Sequence, residues 1–144
     1  MSIGATYHIS TDREKLDVDL IHGFLTESYW AKGIPMVVVQ KSIENSLCIG
    51  AYDEQGNQVG FARVVTDKAT FAYLADVFVL DAYRGKGISK QIMELYDQHH
   101  ELQGLRRHML ATSDAHRLYK KYGFQPIDHP EILMQKHDPE VYKK

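Results

Sequence analysis

Arg84, Gly85, Lys86 and Gly87 form a short run that could hold a phosphate group. Before them stands an apolar segment, Ala72 to Leu80, that reads as a buried strand. After them a helix starts near Ile88. Glycine lets a backbone approach a ligand with no Cβ in the way. The first-turn N–H groups of a helix, here those of Ile88, Ser89 and Lys90, have no partner inside the helix and sit at its positive end. Arg84 and Lys86 add two full positive charges. Strand, basic glycine turn and helix start together describe a pyrophosphate cradle. The other reading of the same residues is an ordinary strand–turn–helix with solvated Arg84 and Lys86. Two familiar phosphate loops fail here. A Walker loop requires Gly-Lys-Ser/Thr with another glycine five residues before its Gly-Lys, but Gly87 follows Lys86 and Leu80 occupies the upstream position. A dinucleotide fingerprint requires Gly or Ala three residues beyond Gly87, where Lys90 stands.

The remaining pattern is Arg84-x-x-Gly87-x-Ser89, directly after Val77-Phe78-Val79. It resembles motif A of the GNAT N-acetyltransferase superfamily, Gln/Arg-x-x-Gly-x-Gly/Ala. Ser89 stands where Gly or Ala is usual; serine is small and suits a helix N-terminus. A second segment, Thr112 to Phe124, resembles motif B, Asn-x-x-Ala-x-x-Leu/Phe-Tyr-x-x-x-Gly-Phe. Ala115, Leu118, Tyr119, Gly123 and Phe124 match at the family's spacing, and Thr112 replaces the usual Asn. The resemblance implies a GNAT acyl-CoA N-acyltransferase fold of the mixed α/β class. It implies that the basic loop binds the pyrophosphate of acetyl-CoA. It also implies that backbone N–H groups of Val77, Phe78 and Val79 hold the pantetheine and polarise the thioester carbonyl. Thr112 stands at a position of polar contact to the cofactor, and Tyr119 matches the family's general-acid tyrosine. The region of Tyr29 and Trp30 lines the acceptor pocket in such proteins.

Acetyl transfer to an amine needs a polarised thioester, a neutral amine and a proton for the departing thiolate. Fixed donors facing developing negative charge are usually the largest catalytic contribution, and positioning supplies most of the rest. A phenol of pKa about 10 is protonated at neutral pH and can protonate a thiolate of pKa about 8.5. Tyr119 is therefore the expected acid, against the plainer reading of a core tyrosine on the motif B helix. Tyr122 occupies the neighbouring packing position. Asp76 is the one charge inside an apolar strand, on the face of Leu74 and Phe78. Burying a carboxylate unpaired is costly, so Asp76 is either a general base or one half of a structural pair. In many family members water relays the proton instead. Arg63 could bind a substrate carboxylate bidentately or pair with Asp76 across neighbouring strands. Tyr29, Trp30, Phe71 and Tyr73 could shape an aromatic site for a small amine or an N-terminus, or could pack the core.

The elements that must position these residues follow from periodicity. Thr6 to Ser10 reads as a first strand. Leu16 to Ser28 has a helical apolar face at positions 16, 20, 21, 24 and 25. Pro35 opens a second helix through Ile43, although Val37-Val38-Val39 favours strand locally. Leu47–Tyr52, Val59–Thr66 and Phe71–Leu80 form an antiparallel meander with turns at Asp53 to Asn57 and at Asp67-Lys68. The helix from Ile88 ends before Gly104. His108–Thr112 reads as a strand, followed by the motif B helix capped by Ser113 or Asp114 and ended at Gly123. Ile132–Gln135 reads as a final strand. The 144 residues (1–144) are expected to form one N-acetyltransferase domain, at 44% hydrophobic and 25% charged residues. A net charge of −2 gives no reason to expect nucleic acid or a membrane surface. No apolar run approaches the ~20 residues that span a bilayer, and Met1-Ser2-Ile3-Gly4 has no signal-peptide character. The single cysteine, Cys48, fits a reducing cytoplasm, and the eight histidines have no metal-ligand spacing. The expected function is acetyl-CoA-dependent transfer of an acetyl group to a primary amine of a small molecule or peptide, by direct attack in a ternary complex and without a metal. The alternative is a catalytically silent acyl-CoA binding or sensing module. Homodimers are common among such folds, but nothing in the sequence marks an interface.

Overall fold

Five strands form one sheet in the computed structural model, which describes residues 6–144. In sheet order they are β1 (His8–Ser10), β2 (Leu47–Tyr52), β3 (Gln58–Thr66), β4 (Phe71–Val79) and β5 (Arg107–Leu110). β1 to β4 pair antiparallel; β4 and β5 run parallel. A parallel neighbour needs a crossover, and α3 (Ile88–Gln98) provides it. α1 (Val18–Glu27) and α2 (Met36–Glu44) cover the opposite face. α4 (His116–Lys120) adds Tyr119 to the α3 side. Two apolar clusters result, one on each face of the sheet. The first joins Ile49, Ala62, Val64 and Leu74 to Ile88, Ile92, Met93 and Tyr96. The second joins Phe61 and Phe78 to Ile21, Leu25, Val39 and Ile43.

Local chemistry explains most boundaries. The Asp17 carboxylate accepts the Leu20 N–H at 3.1 Å and starts α1. Pro35 caps α2, with its carbonyl accepting the N–H groups of Val38 and Val39 at 3.1 Å. The three valines are helical despite their local preference, because Val39 is fully buried against the sheet. Asp67 ties the β3–β4 turn by accepting the N–H groups of Ala69, Thr70 and Phe71, which drives its carboxyl far below the ordinary range.

Two expectations fail. The final strand over Ile132–Gln135 does not form. Pro130 begins a 3-10 turn through Ile132, and the following residues lie exposed, Met134 at 97%. A short apolar run such as Ile132-Leu133-Met134 becomes a strand only when another strand completes its ladder. The motif B helix is shorter than expected and is not capped by Ser113 or Asp114. Thr112 Oγ1 accepts the N–H groups of Asp114 (3.4 Å) and Ala115 (3.0 Å), and this turn delays the helix to His116.

A third difference concerns Asp76. It does not share a face with both Leu74 and Phe78. Ala75 pairs with Arg63 and Phe78 with Phe61, so Asp76 and Val77 together oppose Ala62. This is a β-bulge, and Asp76 sits in it with φ 53°. The extra residue reverses the alternation: Leu74 faces the α3 cluster and Phe78 faces the α1/α2 cluster. The carboxylate is satisfied on both oxygens. Oδ2 accepts Arg63 Nε at 2.8 Å, and Oδ1 accepts Trp30 Nε1 at 2.9 Å. Arg63 Nη1 donates to Ser46 Oγ at 3.2 Å. The Asp76 and Arg63 side chains are 10% and 20% exposed, so removing either partner strands a charge, at about 3–5 kcal/mol. Asp76→Ala and Asp76→Gly should therefore both unfold at lower urea than the native chain. At an ordinary strand position glycine would be the weaker of the two by about 0.5–1 kcal/mol. At φ 53° the order should reverse, with glycine the stronger by about 1–2 kcal/mol; a more stable alanine variant would contradict the left-handed bulge.

Candidate active site

The bulge directs β4 away from β5. Their pairing covers Phe71 to Leu74 against Arg107 to Leu110 and stops there. Beyond Leu74, no strand among the described residues lies on the β5 side of β4. A cleft of about 1200 Å³ opens at this point. Val77, Phe78 and Val79 line it, with backbone groups on an unpaired strand edge.

The glycine turn lies at one end of the same cleft. Gly85 has φ 77° and Gly87 φ 80°, the left-handed region that glycine occupies without strain. A Cβ at either would meet nothing within 4 Å, so conformation rather than space requires glycine there. Gly87 is the N-cap of α3, and no side chain caps the helix. The first helical bond runs from Gln91 N–H to the Gly87 carbonyl at 3.1 Å. The N–H groups of Ile88, Ser89 and Lys90 thus face out of the helix start. The Ile88 side chain is 2% exposed and pins that start to the core. Arg84, Gly85, Gly87, Ile88 and Ser89 line the cleft; Lys86 and Lys90 are exposed on the same turn without lining it. Arg84 is held by its own neighbours, Nη2 to Asp81 at 3.2 Å and Nε to the Val79 carbonyl at 3.4 Å. An open strand edge leading to a basic helix start fits an elongated ligand with phosphate at one end, as CoA is.

Tyr119 reaches the cleft from α4. Its place is set by the way that helix ends. Gly123, at φ 89°, donates to the Lys120 carbonyl, and Phe124 N–H donates to the Tyr119 carbonyl, both at 3.2 Å. These two bonds are a Schellman motif, with the Tyr119 and Phe124 rings edge-on at 6.0 Å as its apolar contact. The Tyr119 side chain is 8% exposed, and burial, reinforced by the charge of Asp114, pushes its phenol up. Thr112 also lines the cleft, with its hydroxyl oxygen engaged in the turn before α4.

On the α1–α2 side, the structure brings together Tyr29, Trp30, Arg63, Tyr73 and Asp76. Phe71 is not among the lining residues. Arg63 and Asp76 face each other, the cross-strand pairing open to them from the sequence. Tyr29 is 79% exposed and its hydroxyl lies 3.4 Å from Ser113 Oγ, linking the two banks of the cleft. Sequence reasoning missed Phe24, Ile34, Val38 and Tyr142, which also line this half. Phe24 stacks on Phe78 at 3.9 Å, a contact that only the reversed alternation of β4 creates. Tyr142 had one signal, an isolated aromatic in a charged tail. Among the described residues no cluster of His, Cys, Asp and Glu is arranged as a metal site, and no helix is long and apolar enough to cross a membrane.

Comparison with known proteins agrees with this geometry. The acetyltransferase (GNAT) domain family matches residues 44–126, the span from the end of α2 to just past Phe124. A candidate acetyltransferase of Gibberella zeae is 32% identical over 137 residues, covering 80% of this chain and 76% of that protein. The crystal structure of a candidate GNAT acetyltransferase from Xanthomonas campestris pv. campestris is 50% identical, with a TM-score of 0.94 over 99% of this chain and 100% of that one. An aminoglycoside N-acetyltransferase solved with CoA shares the fold at 16% identity, with a TM-score of 0.67 over 96% of this chain and 98% of that one. The chain belongs to the GNAT family of acetyltransferases.

Proposed function

We propose that this protein transfers an acetyl group from acetyl-CoA to a primary amine, by direct attack within a ternary complex. The observation that carries this reading is Tyr119, a protonated phenol held at the cleft between the unpaired edge of β4 and the aromatic half. The fold neighbour solved with CoA supports the choice of cosubstrate. Acetyl-CoA supplies the activated thioester. The cradle formed by Arg84, Gly85, Lys86, Gly87 and the first N–H groups of α3 takes the pyrophosphate, with Thr112 beside it. Backbone N–H groups of Val77, Phe78 and Val79 hold the pantetheine arm and polarise the thioester carbonyl. One such donor is worth about 3–4 kcal/mol where it has been measured. The neutral amine nitrogen attacks the carbonyl carbon, the C–S bond breaks, and Tyr119 gives its proton to the departing sulfur. The amine's surplus proton leaves through water. Asp76 serves the acceptor wall rather than the proton, since both its oxygens are committed to Arg63 and Trp30.

Direct attack is favoured over an acetyl-cysteine intermediate. Cys48 is the chain's one cysteine and lies buried beneath α2, outside the cleft. Burial pushes its thiol up to about 11, so it carries almost no nucleophilic thiolate at neutral pH. A free buried thiol also suits the reducing cytoplasm in which we place the protein.

Thiol release from acetyl-CoA across a panel of amines tests the reading. Tyr119→Phe should lower kcat by about 10²–10⁴-fold. Its affinity for acetyl-CoA, read by calorimetry, should stay within twofold of native. Parallel losses in both would make Tyr119 a packing residue, and tight binding without release by the native chain would favour the sensing module. Burial raises the Tyr119 phenol above its ordinary value, so the proposed acid is protonated across the neutral range. The rate should therefore climb from about pH 7 to pH 9 as the amine becomes neutral, with no alkaline fall in that range.

Arg84→Ala with Lys86→Ala should weaken CoA binding several-fold and flatten its dependence on salt. Unchanged affinity would remove the phosphate from this turn.

A further inference from the structure

We infer that the acceptor is a primary amine carried on a single uncharged aromatic or bulky apolar body, and that Tyr142 sets the size of that body. The inference rests on the acetyltransferase reading above and specifies its acceptor. The α1–α2 half of the cleft is walled by Phe24, Tyr29, Trp30, Ile34 and Tyr142. Among the described residues, the charged groups lining it are Arg63 and Asp76, joined at 2.8 Å. The second Asp76 oxygen is taken by Trp30, and Arg63 Nη1 by Ser46. The pair is thus neutral as a unit, and what Arg63 still offers a ligand is N–H donors without net charge. The other charged residues lining the cleft are Arg84, on the glycine turn, and Asp114, exposed on the loop before α4.

This charge pattern selects among amines. A polyamine or an aminoglycoside brings several ammonium groups, and each one buried needs a carboxylate. A phosphorylated amino sugar needs free cations. Among the described residues of this half, the one carboxylate, Asp76, and the one cation, Arg63, are already matched to each other. Sugar hydroxyls need many hydrogen-bonding partners, yet the Ser42 hydroxyl that lines the wall already donates to the Val39 carbonyl at 2.8 Å. An aromatic or branched apolar body finds rings to pack against. The same apolar walls disfavour the ammonium form, and the neutral amine is the one that attacks.

Tyr142 closes the far side. Residues 125–144 are exposed throughout, with Tyr142 the sole exception. Its ring packs with the α1/α2 cluster, and its Cβ would stand 3.9 Å from a Cβ at Gly33. The flanking residues are tied only at the surface, Lys143 to Glu140 and Lys144 to Asp138. The tail therefore inserts one aromatic side chain into the cleft and leaves the rest in solvent.

Trp30 is the only tryptophan in the chain, and its fluorescence reports the acceptor half directly. The test uses the full chain with CoA and titrates 2-phenylethylamine, spermidine, kanamycin and glucosamine 6-phosphate. Thiol release is measured with the same amines and acetyl-CoA. Phenylethylamine should change Trp30 emission saturably and give a kcat/KM at least about tenfold above the others. Tyr142→Ala should raise KM for phenylethylamine and improve a biphenyl analogue relative to it, with acetyl-CoA affinity unchanged, and Tyr142→Phe should restore the native order. Highest kcat/KM with a polycationic or phosphorylated amine would overturn the inference while leaving acetyl transfer intact, as would an amine order indifferent to Tyr142→Ala. Saturable phenylethylamine binding with no thiol release from any amine would support the apolar-amine site and overturn the transferase reading instead.

Discussion

The contact between Arg63 and Asp76 is the constraint on which the rest of the cleft depends. A left-handed conformation at a residue other than glycine costs about 1–3 kcal/mol and persists only where its surroundings hold it. Here the surroundings are a guanidinium on the neighbouring strand and an indole from the α1–α2 segment, each donating to one carboxylate oxygen. Hydrogen bonds to a charged group contribute about 1.5–3 kcal/mol each, enough to offset the strain. The bulge they stabilise has two results. It reverses the facing of β4, so Phe78 enters the α1/α2 cluster and stacks on Phe24. It also ends the β4–β5 pairing at Leu74, which exposes the strand edge along Val77 to Val79. One ion pair thereby shapes both halves of the cleft.

The two halves are built by different physics. The end at the glycine turn is mostly backbone: two glycines in the left-handed region, a helix start with no side-chain cap among the described residues and an unpaired strand edge. Such groups recognise charge and chain direction and depend little on neighbouring side chains. The aromatic end is mostly side chain, drawn from α1, the segment after it, β3, β4 and the C-terminal tail. Its shape follows from packing among residues distant in sequence. Trp30 belongs to both systems, since its indole N–H braces the bulge while its ring forms part of the wall.

This division explains what could be read from the sequence. The glycine turn and the helix start were legible because Gly85, Gly87 and Ile88 lie within four residues and their consequences are local. The two apolar helix faces and the three-strand meander were legible from their periods for the same reason. The partner of Asp76 was open to inference, but its facing was not: a bulge inserts a residue without marking the sequence, and every later side chain on the strand then changes side. Neither Ser113 nor Asp114 caps α4, because the Thr112 hydroxyl takes the Asp114 and Ala115 N–H groups in a turn that postpones the helix to His116. Ile132 to Gln135 has the local pattern of a strand, yet a strand is completed by its neighbour, and Pro130 turns the chain before one is met. Tyr142 stood out only as an isolated aromatic in a charged tail, and its place could not be read there because it depends on a contact with residues near Gly33, distant in sequence.

Tyr119 shows how position and chemistry can share a single cause. Five residues of helix are too few to be stable alone, so α4 exists because its ends and its buried face are held. The Schellman bonds at Gly123 and Phe124 hold one end, and the Thr112 turn leads into the other. Burial of the ring against Phe124 and the α3 cluster fixes the side chain's direction. That burial is also the main reason the phenol is raised. Tyr119 cannot become more firmly placed by burial without becoming a weaker proton donor. A wetter setting would lower its pKa toward that of the thiolate, but at the expense of orientation. For the acid role we propose, with a leaving group that is already a fairly stable anion, a fixed donor protonated at neutral pH contributes more than a stronger acid free to turn away.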